Sequence, residues 1–197
     1  MHDFNALQIK WNQRHADPTH QPRAAEVLYQ NRHLLPVRGR ALDLACGLGG
    51  NALLMVKLGL EVAAWDLSQV AVDRLKGFTE AQGLMNLQAE VRDLSQESLP
   101  VDTFDAIVVS YYLDRALAAP LIDSLKLDGL IFYQTFSKAA DNGQGPSNPN
   151  YRLEDNELLQ LFKPLSVRFY REENRLGNSS EGFRDVAMLV AEKCMAD

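Results

Sequence analysis

Two aspartates and two glycines are the residues of this chain whose spacing most plainly suggests chemistry. The run Asp43-Leu44-Ala45-Cys46-Gly47-Leu48-Gly49-Gly50-Asn51-Ala52 joins a strand-like segment to a helix-like one. Gly47 and Gly49 let the backbone come close to a ligand there. Asp66 follows Gly47 by nineteen residues, at the end of the next strand-like segment, where a carboxylate can accept from both hydroxyls of a ribose. Gly47-x-Gly49-x-x-Ala52 also satisfies the dinucleotide fingerprint G-x-G-x-x-G/A, with an acid about 20 residues on. Asp43 separates the two readings. A carboxylate ending the first strand would repel a pyrophosphate. It would attract the ammonium and sulfonium of S-adenosylmethionine, which has no phosphate.

These residues need a scaffold that brings strand ends together, and the chain reads as one. Residues 40–45, 61–65, 86–91, 104–110 and 129–135 have strand character. Helical patterns occupy 49–58, 68–82 and 113–125, with Ser68 as N-cap and Gly83 as stop. Leu113, Leu117, Leu121 and Leu125 recur on one helical face. Alternation of this kind predicts an α/β, Rossmann-like, seven-stranded and mostly parallel sheet with helices on both faces. Ligands of such sheets bind beyond the carboxyl ends of the strands. Before the first strand, residues 3–15 and 22–34 read as helices, and Phe4, Leu7 and Trp11 share a face of the first. After the fifth strand, residues 143–150 read as a loop and 154–162 as a helix. Segments 165–173 and 183–192 have no helix between them, so they are expected to close the sheet as an antiparallel C-terminal hairpin. The expected organisation is a single domain over 1–197. Its parts are an N-terminal helical lid (1–36), a cofactor-binding core (40–135) and a substrate-side loop, helix and hairpin (136–197).

Composition narrows the classes. A length of 197 residues with 46% hydrophobic residues suits one domain with a sizeable core. No stretch of 18 apolar residues stands in the sequence, and neither a secretory leader nor a membrane partner is expected. Two cysteines, Cys46 and Cys194, make no disulfide framework, and a cytoplasmic location is expected. The four histidines all lie in the first 33 residues, far from either thiol, so no metal site is expected. A formal net charge of −6, with no Lys/Arg cluster, argues against nucleic acid as partner. The oligomeric state is not legible.

The motif Asp43-x-Ala-Cys-Gly-x-Gly-Gly-Asn, followed by Val62-Ala63-Ala64-Trp65-Asp66, resembles the class I S-adenosylmethionine-dependent methyltransferases. The Ala-Trp-Asp strand ending and the final Arg184-x-x-Ala-Met-Leu-Val-Ala-x-Lys resemble the tellurite-resistance and thiopurine methyltransferase group within them. The resemblance covers roughly residues 10–193. It implies that Asp43 and the backbone around Ala45, Cys46 and Gly47 hold the methionine part, with Gly49 in the same loop. It gives Asp66 the ribose, with Leu67 beside the adenine. It places Asp93 on the adenine amino group with Leu94 next to it, and Ser110 at the methionine end. Trp11 and Arg14 resemble an N-terminal helix motif that closes over the cofactor. The tellurite-resistance proteins carry a His-Arg pair in the last hairpin turn, and residues 176–182 here have neither, so this chain departs from them at that point.

Methyl transfer from a sulfonium is an in-line displacement with a neutral leaving group. The protein's work is then to position the acceptor and exclude water. The expected acceptor is a small molecule, with a thiol or chalcogen compound as the candidate class. A soft anionic nucleophile needs a cation to orient it, and Arg184, with Arg175, is the expected source. Tyr111 is the second expected catalytic residue, at the mouth after Ser110. Two other readings stand beside this one: a protein that binds S-adenosylmethionine without catalysis, and an NAD-dependent oxidoreductase, which Asp43 opposes.

Overall fold

The computed structural model describes residues 4–138, 145–178 and 180–195. Seven strands form one sheet in the order β3-β2-β1-β4-β5-β7-β6. The parallel strands are β1 (Arg40–Leu44), β2 (Glu61–Asp66), β3 (Leu87–Val91), β4 (Phe104–Ser110) and β5 (Leu125–Phe136). The hairpin β6 (Ser166–Glu172) and β7 (Val186–Glu192) completes the sheet, with β7 antiparallel to β5 and to β6. The expected fold class is the observed one. The sheet reverses its order of growth between β1 and β4, which is where ligands of open α/β sheets bind.

Strand residues alternate between two buried faces. Ala41, Val62, Ala64, Ala106, Val108, Phe132 and Met188 pack on one side with Val27, Leu28, Ala52, Met55 and Leu75. Leu42, Leu44, Ala63, Trp65, Ile107, Val109, Tyr133 and Leu189 pack on the other with Leu117, Leu121, Leu158 and Phe162. Near-continuous apolar strands such as β4 follow from this double coverage.

The helices are α1 (Phe4–His15), α2 (Glu26–Asn31), α3 (Gly50–Lys57), α4 (Gln69–Gln82), α5 (Ala118–Ser124) and α6 (Glu157–Leu161). Ser68 caps α4 by accepting from the Ala71 N–H, and Gly83 ends it in the left-handed region, as the sequence predicts. Several expected boundaries shift, and the fifth strand, expected over 129–135, already begins at Leu125. The helix expected over 113–125 is a 3-10 turn, Arg115–Leu117, followed by α5. Asp114 caps that turn at Ala116, and Leu125 already pairs with Phe104 in the sheet. The helix expected from residue 22 begins at Glu26, since Ala25 is extended, and it ends in a 3-10 turn at Arg32–Leu34. The helix expected over 154–162 keeps only Glu157–Leu161. The last strand begins at Val186, so residues 183–185 belong to the hairpin connection. Among the described residues, no helix is long and apolar enough to cross a membrane.

Candidate cofactor site

The site grows from the carboxyl ends of β1, β2 and β4. Asp43 points to the same face as Ala41 and is fully buried. Its Oδ2 accepts from the Ala52 N–H at 2.9 Å and its Oδ1 from Asn51 Nδ2 at 3.1 Å. Both partners are neutral amides in the first turn of α3. Burial raises the Asp43 carboxyl to about 7, and the two hydrogen bonds only partly oppose it.

The chain then turns through Ala45, which sits at φ +55, and Gly47, at φ +51. A left-handed non-glycine residue is strained, and such strain gathers at functional sites. Tyr111, which follows β4 across the switch point, has φ +56. Each of the two strands flanking the crevice is thus followed by a strained residue at its mouth. At Gly49 the backbone is at φ +77 and a Cβ would lie 2.5 Å from the Leu75 side chain. At Gly50 a Cβ would lie 2.1 Å from the carbonyl oxygen of Arg23. The glycines therefore admit both α4 and the N-terminal segment against the loop. Cys46 is buried and its thiol is pushed up by that burial and by Asp43 and Asp66, which suits a packing residue and not a nucleophile.

Asp66 ends β2 and is 7% exposed. Its Oδ2 accepts from the Gly47 N–H at 2.7 Å and its Oδ1 from the Ser68 N–H at 2.8 Å. Asp93 is further out. Its Oδ1 accepts from the backbone N–H and the hydroxyl of Ser95, a local turn. Leu94 packs with Ala45 and Tyr112 on the second core face. Burial, then Asp114, Asp93 and Tyr151, push the Tyr112 phenol up to about 12. Burial also raises Tyr111, although Gln134 Nε2 donates to its oxygen at 2.7 Å.

α1 lies across this corner and buries none of its residues. Polar bonds hold it. Gln8 Nε2 donates to the Leu67 carbonyl at 3.1 Å, and Asn12 Oδ1 accepts from the Ser68 hydroxyl and the Val70 N–H. Arg74 donates to the carbonyls of His15, Asp17 and His20. Trp11 stacks on His15, and Arg14 lies against the Trp11 ring at 5.8 Å. His15 sits over the first loop, its Cε1 3.2 Å from where a Gly47 Cβ would be. Burial holds the His15 imidazole below its usual range, with Asp66 opposing.

The structure therefore brings Asp43, Ala45, Cys46, Gly47, Gly49, Asp66, Leu67 and Ser110 to one crevice and sets Trp11 on the helix above it. Arg184 is placed differently. It precedes β7, and its guanidinium donates to the carbonyls of Glu181, Leu176 and Asn178, with Glu173 at 3.8 Å. Those donors are directed into its own hairpin turn, so its contacts support a structural role rather than the expected substrate contact. Two residues of the site, His15 and Gln134, escape the sequence reading, and Asn51 enters it only as part of the loop motif, without a role. Asn51 and Gln134 each stand as a lone amide in an apolar run, which is the signal that could have found them. His15 gave none beyond its closeness to Trp11.

The sequence profile of "Tellurite resistance protein TehB" matches residues 13–176. A probable S-adenosyl-L-methionine-dependent methyltransferase TehB of Haemophilus influenzae is 26% identical over 159 residues, which is 77% of this chain and 55% of that protein. The chain thus spans about half the length of the curated relatives it matches. The crystal structure of TehB from Haemophilus influenzae superposes with a TM-score of 0.68 at 18% identity, over 94% of this chain and 66% of that one. A methyltransferase from Aquifex aeolicus, described as SAM dependent, superposes with a TM-score of 0.65 at 15% identity, over 98% and 99%.

Proposed function

The chain belongs to the tellurite resistance protein TehB family, and from that premise we propose that it is an S-adenosylmethionine-dependent methyltransferase acting on a small molecule. The observation that carries this reading is the Asp43 carboxylate, fully buried and met, among the described residues, by neutral amide donors. A buried carboxylate without a counter-charge is costly. An ammonium beside it removes that cost, whereas a pyrophosphate would add to it. The residues present fit the sulfonium cofactor and not a dinucleotide.

When bound, S-adenosylmethionine supplies a methyl group on a sulfonium that leaves as a neutral thioether. Asp43 and the backbone of Ala45, Cys46 and Gly47 would hold its methionine part, with Gly49 keeping the loop close and Ser110 at the methionine end. Asp66 would accept from the ribose, with Leu67, Asp93 and Leu94 about the adenine. Trp11 and Arg14 would cover it from α1. Tyr111 keeps its proton at neutral pH, so it orients an acceptor by donating and does not serve as a base. That favours acceptors that are already anionic or easily deprotonated, a thiol or a chalcogen compound. His15, kept neutral by burial beside Gly47, is a base for an acceptor that arrives protonated.

A thermal-shift comparison tests the assignment. S-adenosylmethionine and S-adenosylhomocysteine should stabilise the protein by about 2.7 kcal/mol at a concentration 100-fold above the dissociation constant, and NAD should not. A shift with NAD and none with the sulfonium compound would reverse the reading.

A further inference from the structure

Two buried side-chain amides tie the N-terminal segment to the strand ends that form the crevice. Asn51 is 3% exposed, and its side-chain amide bonds to three different parts of the chain. Its Oδ1 accepts from the Ala25 N–H at 2.8 Å. Its Nδ2 donates to Asp43 Oδ1 at 3.1 Å and to Ser110 Oγ at 2.9 Å. Gln134, in β5 and 1% exposed, repeats the arrangement. Its Oε1 accepts from the Val27 N–H at 2.9 Å, and its Nε2 donates to the Tyr111 hydroxyl at 2.7 Å. Ala25 and Val27 belong to the start of α2, which has no side-chain cap of its own. The two amides supply acceptors to its orphan donors from across the fold.

We propose that Asn51 is a positioning residue that makes the docking of residues 22–28 and the binding of the cofactor's methionine end depend on each other. The argument is the polarity of an amide. While Ala25 N–H holds the Asn51 oxygen, the Asn51 NH2 must face Asp43 and Ser110. With that segment undocked, the amide can turn, and an oxygen facing Asp43 repels the carboxylate that should receive the ammonium. A docked segment therefore presents a fixed Asp43, and a bound cation at Asp43 favours the docked segment. Such coupling is reciprocal by thermodynamic necessity. Gly50 fits the same picture, since a side chain there would displace the Arg23 carbonyl. Gln134 sets Tyr111 by the same logic. With its nitrogen donating to the phenol oxygen, the Tyr111 hydrogen is left to point elsewhere.

This inference rests on the cofactor reading above, and its test separates the two. S-adenosylhomocysteine is titrated calorimetrically into the wild type, Asn51→Ala and Asn51→Asp, and amide hydrogen exchange of residues 22–28 is followed with and without it. The wild type should bind, and binding should slow exchange across 22–28. Asn51→Ala should bind about tenfold or more weakly, an effect the size of one charge-assisted hydrogen bond, and its residues 22–28 should no longer respond to the ligand. Asn51→Asp keeps the shape and serves if the alanine variant fails to fold. It keeps an acceptor for the Ala25 N–H but has no N–H to offer Asp43 or Ser110, so it should bind more weakly than the wild type and leave exchange across 22–28 unresponsive to the ligand. Wild-type affinity in both variants, or weakened binding with the ligand-induced protection of 22–28 intact, would overturn the coupling. Failure of the wild type to bind would overturn the cofactor reading itself.

Discussion

The Asp66 carboxylate accepts a 2.7 Å hydrogen bond from the Gly47 N–H, and this bond ties the end of the second strand to the loop that leaves the first. Its other oxygen holds the Ser68 N–H at the start of α4. Each carboxylate oxygen has two lone-pair sites. The residue expected to take the ribose can therefore do so while it shapes the loop expected to take the methionine part.

Asp66→Ala should weaken S-adenosylhomocysteine binding far more than Asp93→Ala. Hydrogen bonds to a charged group are worth about 1.5–3 kcal/mol each, and Asp66 stands to lose more than one of them. Asp93 directs one oxygen into its own turn at Ser95. Calorimetric titration of both variants decides, and equal losses would remove the ribose assignment.

Asp43 should give the protein a definite pH signature. Its folded carboxyl lies at about 7 against an ordinary 3.8, so the folded state holds the proton longer than the unfolded one. Its stability contribution is intact below the ordinary value and is lost as pH rises through about 7. Subtracting Asp43→Asn stability from wild-type stability should give a difference that falls between about pH 4 and pH 7. S-adenosylmethionine affinity should move the other way, rising with pH as the carboxylate forms, and should be flat with pH in the variant. An Asp43→Asn protein that binds like the wild type at pH 8 would show that Asp43 does not meet the ammonium.

The N-terminal helix should loosen in acid. Burial lowers His15 below 6.5, and Arg14, His20 and Arg74 add to that while Asp66 opposes it. Docking is thus complete above the ordinary histidine value and weakens as pH falls below it. Limited proteolysis should cut near α1 faster at pH 5 than at pH 7.5, and His15→Gln should remove much of the difference. Equal cutting of the wild type at both values would mean that the imidazole has no part in docking.

Arg184→Ala should damage the fold and spare the cofactor. The side chain is 19% exposed and holds three turn carbonyls near Glu173. Loss of such a cluster should cost about 2 kcal/mol and lower the melting temperature by several degrees. S-adenosylhomocysteine affinity and activity per folded molecule should persist. A normal melting temperature with turnover lost would restore this arginine to the acceptor.

Much of this arrangement is legible in the sequence. Strand identity followed from runs such as Phe104–Ser110, since a strand covered on both faces must be apolar throughout. The α4 limits followed from Ser68 and Gly83, whose cap geometries are local. The places of Asp43 and Asp66 at the ends of β1 and β2 follow because strand length and loop length fix where a strand ends. Boundaries that depend on distant partners were not legible. The helix expected to reach Leu125 stops short because Leu125 is drawn into register with Phe104.

By itself, the sequence determined the fold class, the cofactor loop and the sign of the charge at its centre. Each is written in residues close together in the chain, as periodicity, caps and spacing. Only the tertiary structure decided what the polar side chains do at long range. It joined Asn51 to Ala25 and Ser110, Gln134 to Val27 and Tyr111, and His15 to the first loop. It also directed the Arg184 guanidinium to carbonyls of its own turn. The reason is physical: a buried amide or guanidinium must satisfy its hydrogen bonds wherever packing leaves a partner, and no local pattern encodes which partner that is.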